Sequence, residues 1–208
     1  MGKDYRREFQ AEFNVSRETL ARLDYYDTML RKWNPAINLI SKSTISALWQ
    51  RHFHDSAQIY QLIPKKNGHW VDLGSGGGFP GLVLAILAVA DPTIRFTLVE
   101  SDQRKSAFLR TAIQELTLNA TVITKRIEET EPLEADVLTA RALASLDKLL
   151  EYTERHLKPE GTAIFPKGEK YKDEIDRAIT LWQFDVEEIA SKTNPNGAIL
   201  KIGGITRV

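Results

Sequence analysis

Residues 69–81 read HWVDLGSGGGFPG, and this stretch decides the fold. An apolar run of strand length is followed by a turn that contains Gly74, Gly76 and Gly78, and then by an apolar segment of helix length at 79–90. Glycine permits positive φ and lets the backbone approach a ligand closely. A strand, a glycine-rich turn and a helix in this order are typical of a nucleotide site at the carboxyl edge of a parallel sheet.

Beyond this turn, apolar segments of strand length alternate with helical ones, which predicts βαβ units and a parallel sheet. Further strands are predicted at 94–101, 120–126, 136–143 and 161–168, with helices at 104–116, 145–157 and about 170–182. Strands at 184–191 and 198–204 then flank the turn NPNG, which indicates a hairpin. We therefore predict the class I S-adenosylmethionine methyltransferase fold, an α/β fold with a mostly parallel seven-stranded sheet and a terminal antiparallel hairpin.

Two amphipathic helices are predicted before the sheet. The first covers residues 16–33, with Ser16 as its capping residue, and the second covers residues 45–63 and is ended by Pro64. The stretch NPAINLIS at 34–41 is predicted to be a loop between them. The apolar stripes of both helices indicate packing against the main domain.

The composition is that of an ordinary globular protein, with 42% hydrophobic and 27% charged residues among 208. We expect residues 1–66 to form an N-terminal helical extension packed on a methyltransferase domain at 67–208. Cysteine is absent, which excludes disulfides and thiolate metal sites, and the four histidines lack the spacing of zinc ligands. We therefore predict no metal.

The apolar runs suggest a cytoplasmic protein that does not bind membranes, and we expect it to be a monomer. The first residues lack the apolar core of a signal peptide, and the longest apolar run, 82–90, is too short to span a bilayer. Lys plus Arg equals Asp plus Glu at 28 each, which argues against tight nonspecific binding to nucleic acid. A local basic patch is still expected, and its candidate members are Arg51, Lys167, Lys170 and Lys172.

Glu100 ends the second predicted strand, 22 residues after Gly78. A carboxylate there can accept hydrogen bonds from both ribose hydroxyls of an adenosine. NAD would satisfy the glycine turn and this carboxylate equally well, but Asp72, the turn LKPEG at 157–161 and the final hairpin favour S-adenosylmethionine. Asp72 is predicted to face the cationic amino end of that cofactor, or alternatively to bond the amides of the glycine turn.

Several further stretches closely resemble one bacterial family. They are KWNPAINLIS (32–41), RHFHDSA (51–57), DLGSGGGFPG (72–81), LVES (98–101), RKSAFL (104–109), RALASL (141–146) and FPKG (165–168). Taken in this order, from about residue 33 to 168, they resemble the glucose-inhibited division protein B (RsmG) family. The resemblance implies that S-adenosylmethionine is the cofactor and that N7 of the guanine at position 527 of 16S rRNA, in the small ribosomal subunit, is methylated.

The resemblance also implies roles for individual residues. The implied cofactor contacts, added to the three glycines and Glu100, are Phe79, Ile127, Glu128 and Arg141. The candidate catalytic residues are Asp72, Arg141 and His52, and the candidate substrate contacts are Asn38, His52 and Lys167. Their alternative roles are structural: a satisfied buried histidine at His52, a loop brace at Asn38 and a solvated lysine at Lys167.

One departure and two alternatives stay open. The family often carries an arginine just before its last strand, where this chain has NPNGAILKIGG, so a substrate contact there is in doubt. The first alternative is a class I methyltransferase that acts on a small molecule or a protein. The second is a noncatalytic module whose glycine turn holds NAD or nothing.

Overall fold

A seven-stranded sheet forms the centre of the computed structural model, which describes residues 4–63 and 66–208. Its strands are β1 (Gly68–Leu73), β2 (Ile94–Val99), β3 (Ala120–Ile123), β4 (Ala135–Ala140), β5 (Leu157–Lys167), β6 (Trp182–Ala190) and β7 (Ala198–Arg207). The strand order is β3-β2-β1-β4-β5-β7-β6; β1 to β5 are parallel, and β7 is antiparallel to both of its neighbours. The predicted mostly parallel sheet with a terminal hairpin is therefore confirmed.

Helices cover both faces of this sheet. They are α1 (Tyr5–Phe13), α2 (Arg17–Ile37), α3 (Asp55–Leu62), α4 (Gly81–Leu87), α5 (Gln103–Glu115), α6 (Leu146–His156) and α7 (Tyr171–Ala178). Side chains alternate along β1, so Trp70 packs with α1 to α5 on one face, whereas Val71 and Leu73 pack with α6 and α7 on the other. None of the helices in the described part of the chain is both long and apolar enough to cross a membrane.

The first predicted helix begins as expected but ends later. Ser16 caps α2, because its Oγ accepts a hydrogen bond from the Thr19 amide at 3.1 Å. The helix then continues through Pro35 to Ile37, so the prediction of a loop from residue 34 onward is wrong for residues 34–37. Pro35 has no amide hydrogen to donate to the carbonyl of Arg31, four residues earlier. Because Arg31 is exposed, water can donate to that carbonyl instead.

The second predicted helix is not continuous. A 3₁₀ turn at Ile45–Ala47 and a π-helical segment at Trp49–His54 precede α3. The carbonyl of Trp49 accepts a hydrogen bond from Nδ1 of the His54 ring at 3.2 Å, a partner that a regular helix does not provide. Pro64, the predicted end of this helix, lies outside the described residues.

Two smaller differences concern the length of α4 and the start of β5. The helix predicted at 79–90 is confined to α4, and it follows the cis peptide bond between Phe79 and Pro80. The residues LKPEG at 157–161, predicted as a turn, are already part of β5, where Leu157 pairs with Ala135 of β4. Parallel pairing with β4 therefore begins before the turn-forming residues Pro159 and Gly161.

Aromatic side chains join the N-terminal helices to the sheet. Tyr26 of α2 stacks on Phe53 at a centroid distance of 5.6 Å and lies 5.5 Å from Phe79 in the glycine turn. The Tyr26 hydroxyl also donates a hydrogen bond to the carbonyl of Gly77. The N-terminal helices thus contact the glycine turn directly, while the division of the chain at residues 66 and 67 stays a prediction.

Candidate active site

The glycine-rich turn after β1 forms one wall of a cavity. Gly74, Gly76 and Gly78 have φ angles of 65°, 56° and 94°, in the left-handed region. A methyl group built on Gly76 would meet only a backbone oxygen, that of Gly74 at 3.8 Å, so the turn leaves open space there. The same group on Gly78 would lie 2.5 Å from Leu82 and 2.6 Å from the Tyr26 hydroxyl. Gly76 therefore leaves room for a ligand, whereas Gly78 is required by packing.

This space belongs to a cavity of about 310 Å³, which we call the first cavity. Five of the predicted cofactor residues line it: Gly74, Gly76, Glu100, Ile127 and Glu128. Other lining residues were not anticipated from the sequence: Val99, Ser101, Lys105, Lys125, Arg126, Ala142, Leu143 and Tyr152. Three predicted cofactor contacts, Gly78, Phe79 and Arg141, are not among the residues that line it. The volume lies at the lower end of the range for small-ligand pockets.

Glu100 is held rigidly at the edge of the first cavity. Its Oε2 accepts the Gly76 amide and its Oε1 accepts the Asp102 amide, both at 2.8 Å. Each carboxylate oxygen can accept more than one hydrogen bond, so two acceptors remain for a pair of hydroxyl groups. The carboxylate is thus held in place by the backbone and keeps acceptor capacity, and its role toward a ribose stays a prediction.

A short 3₁₀ turn, Ile127–Glu129, forms the opposite side of the first cavity, and α6 holds it in place. His156 donates from Nε2 to the carbonyl of Ile127 at 3.1 Å, and Tyr152 donates to Glu128 at 3.5 Å. Burial lowers the pKa of His156, which keeps its ring neutral and suited to this bond. The cavity wall that holds two predicted cofactor residues is therefore fixed by side chains of α6, more than 20 residues further along the chain.

Asp72 lies beneath the glycine turn, with 1% of its surface exposed. Its Oδ2 accepts the Gly81 amide at 3.2 Å, and its Oδ1 accepts the Thr139 hydroxyl at 2.8 Å. Burial raises its pKa to about 6. A methyl group on Gly81 would lie 2.7 Å from Oδ2, so glycine is needed there. The structure shows the bond to the turn backbone; a role of Asp72 toward a cofactor stays a prediction.

A second group of predicted residues meets around Arg141, in the loop after β4. Its guanidinium donates to Asp55 Oδ2 at 3.0 Å, to His52 Nδ1 at 2.8 Å and to the carbonyl of Arg51 at 3.3 Å. It also lies over the ring of Phe79, 5.1 Å from the centroid. Three of the predicted site residues are thus brought together by an ion pair with Asp55, which the sequence reasoning missed.

The contacts of His52 determine its protonation state. A guanidinium can only donate, so Nδ1 of His52 accepts from Arg141, and Nε2 carries the proton that it donates to Thr44 Oγ1 at 2.9 Å. Burial, followed by the charges of Arg141 and Arg51, lowers the pKa of His52 to about 3. The ring is therefore neutral at neutral pH, and both of its nitrogens have partners.

A second cavity, of about 270 Å³, adjoins the first, and Ala142 lines both. The other residues that line the second cavity are Asp55, Arg141, Pro166, Lys167, Gly168, Glu174, Ser191, Asn194 and Ala198. Lys167 is not a solvated lysine: its side chain is 9% exposed, pairs with Glu174 at 2.6 Å and donates to the carbonyl of Ala144 at 3.0 Å. The stretch whose sequence departs from the family, residues 194–204, also contributes to this cavity through Asn194 and Ala198.

A family model for rRNA small subunit methyltransferase G (GidB) matches residues 19–198, nearly the whole chain. The chain belongs to this family. A ribosomal RNA small subunit methyltransferase G from Ruegeria pomeroyi is 53% identical over 196 residues, covering 94% of this chain and 96% of the relative. Another, from Rhodospirillum centenum, is 52% identical over 198 residues, covering 95% of this chain and 90% of the relative.

Membership in the rRNA small subunit methyltransferase G family confirms the resemblance read from the sequence motifs and identifies S-adenosylmethionine as the cofactor. Among solved structures, an S-adenosylmethionine-dependent methyltransferase from Aquifex aeolicus superposes with a TM-score of 0.57 at 12% identity. The match covers 88% of this chain and 98% of that chain, and it supports the predicted class I fold. Within the described ranges, no group of three or more His, Cys, Asp or Glu side chains could hold a metal ion.

The loop after α2 was expected to be braced by Asn38, but the structure assigns this bracing to Asn34. Asn38 is exposed and ends α2 with a φ of 56°, and its backbone amide donates to the carbonyl of Asn34 at 3.0 Å. The loop is braced instead by the buried side chain of Asn34, whose Oδ1 accepts the Ile40 amide at 2.8 Å. Within residues 4–63 and 66–208, the Asn38 side chain makes no hydrogen bond, and its contact with substrate stays a prediction.

Replacing Glu100 with alanine is expected to weaken S-adenosylmethionine binding by ~1–3 kcal/mol, because ribose hydroxyls would lose a charged acceptor. The same change frees the amides of Gly76 and Asp102, so some loss of stability is expected as well. Glu100→Gln is the matched control, since it keeps one acceptor and the shape. Calorimetric titration with S-adenosylmethionine provides the affinities, and an unchanged dissociation constant in Glu100→Ala would remove Glu100 from the cofactor site.

Proposed function

We propose that this chain methylates N7 of the guanine at position 527 of 16S rRNA, in the small ribosomal subunit, and that it acts in the cytoplasm as a monomer. Family membership supports methylation of small-subunit rRNA. The observation that carries the proposal is the pair of adjoining cavities that share Ala142. One has the glycine turn and the ribose-type carboxylate, and the other has the cations that could hold a base or a phosphate.

The first cavity fits S-adenosylmethionine on two observations. The open space at Gly76 admits a ligand against the backbone, and Glu100 presents its carboxylate to the same space. We assign Gly74 and Gly76 to close backbone contact, Glu100 to the ribose, and Ile127 with Glu128 to the adenine side.

When bound, the cofactor supplies a methyl group whose bond to the sulfonium breaks, with its electron pair left on sulfur, as the new bond to guanine N7 forms. The N7 lone pair belongs to a neutral ring that has no proton to lose, so the chain need not supply a general base. Its residues act by holding the base in line, an effect that can contribute ~7–11 kcal/mol. A donor on N7 would block the attacking lone pair, so Arg141 and Lys167 are expected to reach O6 or a phosphate instead.

The single-turnover rate is expected to be nearly flat between about pH 6.5 and 8.5, below the range in which lysines titrate. His52 has a pKa of about 3 and does not change charge there, and Asp72, with a pKa of about 6, is largely ionised throughout. A general base would instead produce a rate that climbs with pH through its pKa. Single-turnover measurement separates the chemical step from product release.

The matched variant for this pH profile is His52→Ala, which is expected to retain measurable turnover because the ring only holds Arg141 and Thr44. A tenfold rise in rate per pH unit in the wild-type protein, absent from His52→Ala, would contradict the base-free mechanism. It would point to a different acceptor atom, such as an exocyclic amine or a hydroxyl.

The direct test uses small subunits from cells that lack the enzyme, incubated with the protein and labelled S-adenosylmethionine. Mass mapping of the 16S rRNA is expected to find one added methyl group at the target guanine. Label that stays in a small molecule or in ribosomal protein would support the first alternative function. Calorimetry with S-adenosylmethionine, S-adenosylhomocysteine and NAD tests the second, since a noncatalytic NAD module would bind NAD most tightly.

A further inference from the structure

The second cavity contains an ion pair that the mechanism above does not use fully. Lys167, near the end of β5, and Glu174, in α7, meet at 2.6 Å between Nζ and Oε2. Only 9% of the lysine side chain and 22% of the glutamate side chain are exposed. Both residues line the second cavity. A charged pair at this depth is costly unless its remaining donors and acceptors are used.

The pair is anchored to the loop that separates the two cavities. Glu174 Oε2 also accepts the amide of Leu146 at the start of α6, at 2.8 Å, and Lys167 donates to the carbonyl of Ala144 at 3.0 Å. These two backbone groups lie four and two residues after Ala142, which lines both cavities. Ligand contacts at the pair would therefore be fixed relative to the first cavity.

Each member of the pair keeps hydrogen-bonding capacity. In the described part of the chain, Glu174 Oε1 accepts no hydrogen bond, although Oε2 has two partners. Lys167 has three donors and contacts two acceptors. An acceptor and a donor, side by side and only partly exposed, present a complementary edge to a ligand that carries a donor next to an acceptor.

There is also room beside the pair. A methyl group built on Gly168 would meet no heavy atom within 4 Å, and Gly168 lines the second cavity. Its φ is not in the left-handed region, so backbone conformation does not demand glycine there. The missing side chain instead leaves open space next to Lys167.

We propose that Glu174 and Lys167 recognise the target guanine by its Watson–Crick edge: Glu174 accepts from N1–H and the N2 amino group, and Lys167 donates to O6. The inference rests on the proposed function and adds to it the residue that selects the base. Adenine presents a donor at N6 and an acceptor at N1, which would oppose both groups. This arrangement leaves N7 without a donor, as the attack on the methyl group requires.

Inosine in place of the target guanosine tests the pairing, because it lacks only the N2 amino group. Small subunits are assembled with either guanosine or inosine at the target position and incubated with the wild-type protein or a variant. Mass mapping measures the rate of N7 methylation, from which kcat/KM is obtained for each nucleotide. The wild-type protein is expected to prefer guanosine by roughly tenfold or more, the discrimination typical of a good polar contact to a base edge. Glu174→Gln is expected to reduce this preference severalfold toward unity, chiefly by lowering kcat/KM for guanosine.

A merely structural role of Glu174 would lower kcat/KM for both nucleotides equally and leave their ratio unchanged, a result that would overturn the inference. Glu169→Gln is the matched control, since Glu169 is exposed, lies outside the second cavity and should keep the wild-type ratio. If the wild-type protein placed no methyl group on N7 of the target guanine, the proposed function itself would fail. The measurement on guanosine-containing subunits with the wild-type protein detects that failure independently of the Glu174 variant.

A second variant keeps the test independent of the stability of Glu174→Gln. Gly168→Leu fills the open space without forcing an unfavourable φ, so it is expected to lower rRNA methylation at least tenfold. Its affinity for S-adenosylmethionine, measured by calorimetry, should remain that of the wild type because Gly168 does not line the first cavity. Wild-type methylation by Gly168→Leu would show that the base does not enter the second cavity and would overturn the inference.

Discussion

Replacing Gly76 with valine is expected to abolish S-adenosylmethionine binding while the sheet remains folded. The φ of 56° at Gly76 is costly for a β-branched residue, and such strain is worth about 1–3 kcal/mol. The larger effect is on the ligand, because the added side chain would occupy the open space of the first cavity. Calorimetry is expected to show no heat of binding, and thermal unfolding should still show one cooperative transition.

Gly76→Ala is the matched variant for this change. Its single methyl group has room, since the nearest atom, the Gly74 carbonyl oxygen, is 3.8 Å away. It should therefore fold with about 1 kcal/mol of lost stability and bind the cofactor more weakly than the wild type but more tightly than Gly76→Val. Full cofactor affinity in the valine variant would mean that the glycine run serves only the turn.

Replacing Arg141 with alanine is expected to lower the free energy of unfolding by about 3 kcal/mol and to remove most rRNA methylation. The Arg141 side chain is 17% exposed and the Asp55 side chain 15%, so the change leaves a largely buried charge without its partner. Nδ1 of His52 would also lose the hydrogen bond that it accepts from Arg141. Urea unfolding measures the stability, and the small-subunit assay measures the activity.

Arg141→Lys separates charge from geometry, because a lysine keeps the cation but cannot reach Asp55 and His52 with one planar fork. We expect it to recover part of the stability and little of the activity. A double-mutant cycle with Asp55→Asn should give a coupling energy within the range of about 0.5–3 kcal/mol found for residues in contact. Additive effects of the two single changes would contradict the ion pair as the source of the loss.

The strands and the glycine turn could be predicted because their signals are local. Apolar periodicity distinguishes strands from helices within a few residues, and the left-handed turn at Gly74 and Gly76 requires glycine wherever it occurs. The π-helical segment at Trp49–His54 has no such signal. It depends on the His54 ring bonding the Trp49 carbonyl and on Arg141, which reaches His52 from 89 residues away.

The site was predictable only in part for the same reason. Glu100 stands at the end of a strand, a position that can be inferred from strand order. Tyr152 comes from α6 and bonds Glu128, and Glu174, in α7, accepts the amide of Leu146 at the start of α6. These side chains enter the cavities through packing between distant elements, and no spacing in the sequence marks them.

The place of β7 between β5 and β6 has a consequence for the order in which the molecule can assemble as it is synthesised. The residues of the first cavity, Gly74 to Tyr152, are all made before β5 is complete. The second cavity also needs Ser191, Asn194 and Ala198. At about 5–20 residues per second, a growing chain therefore acquires the parts of the first cavity seconds before those of the second, and β5 has an unpaired edge until β7 emerges.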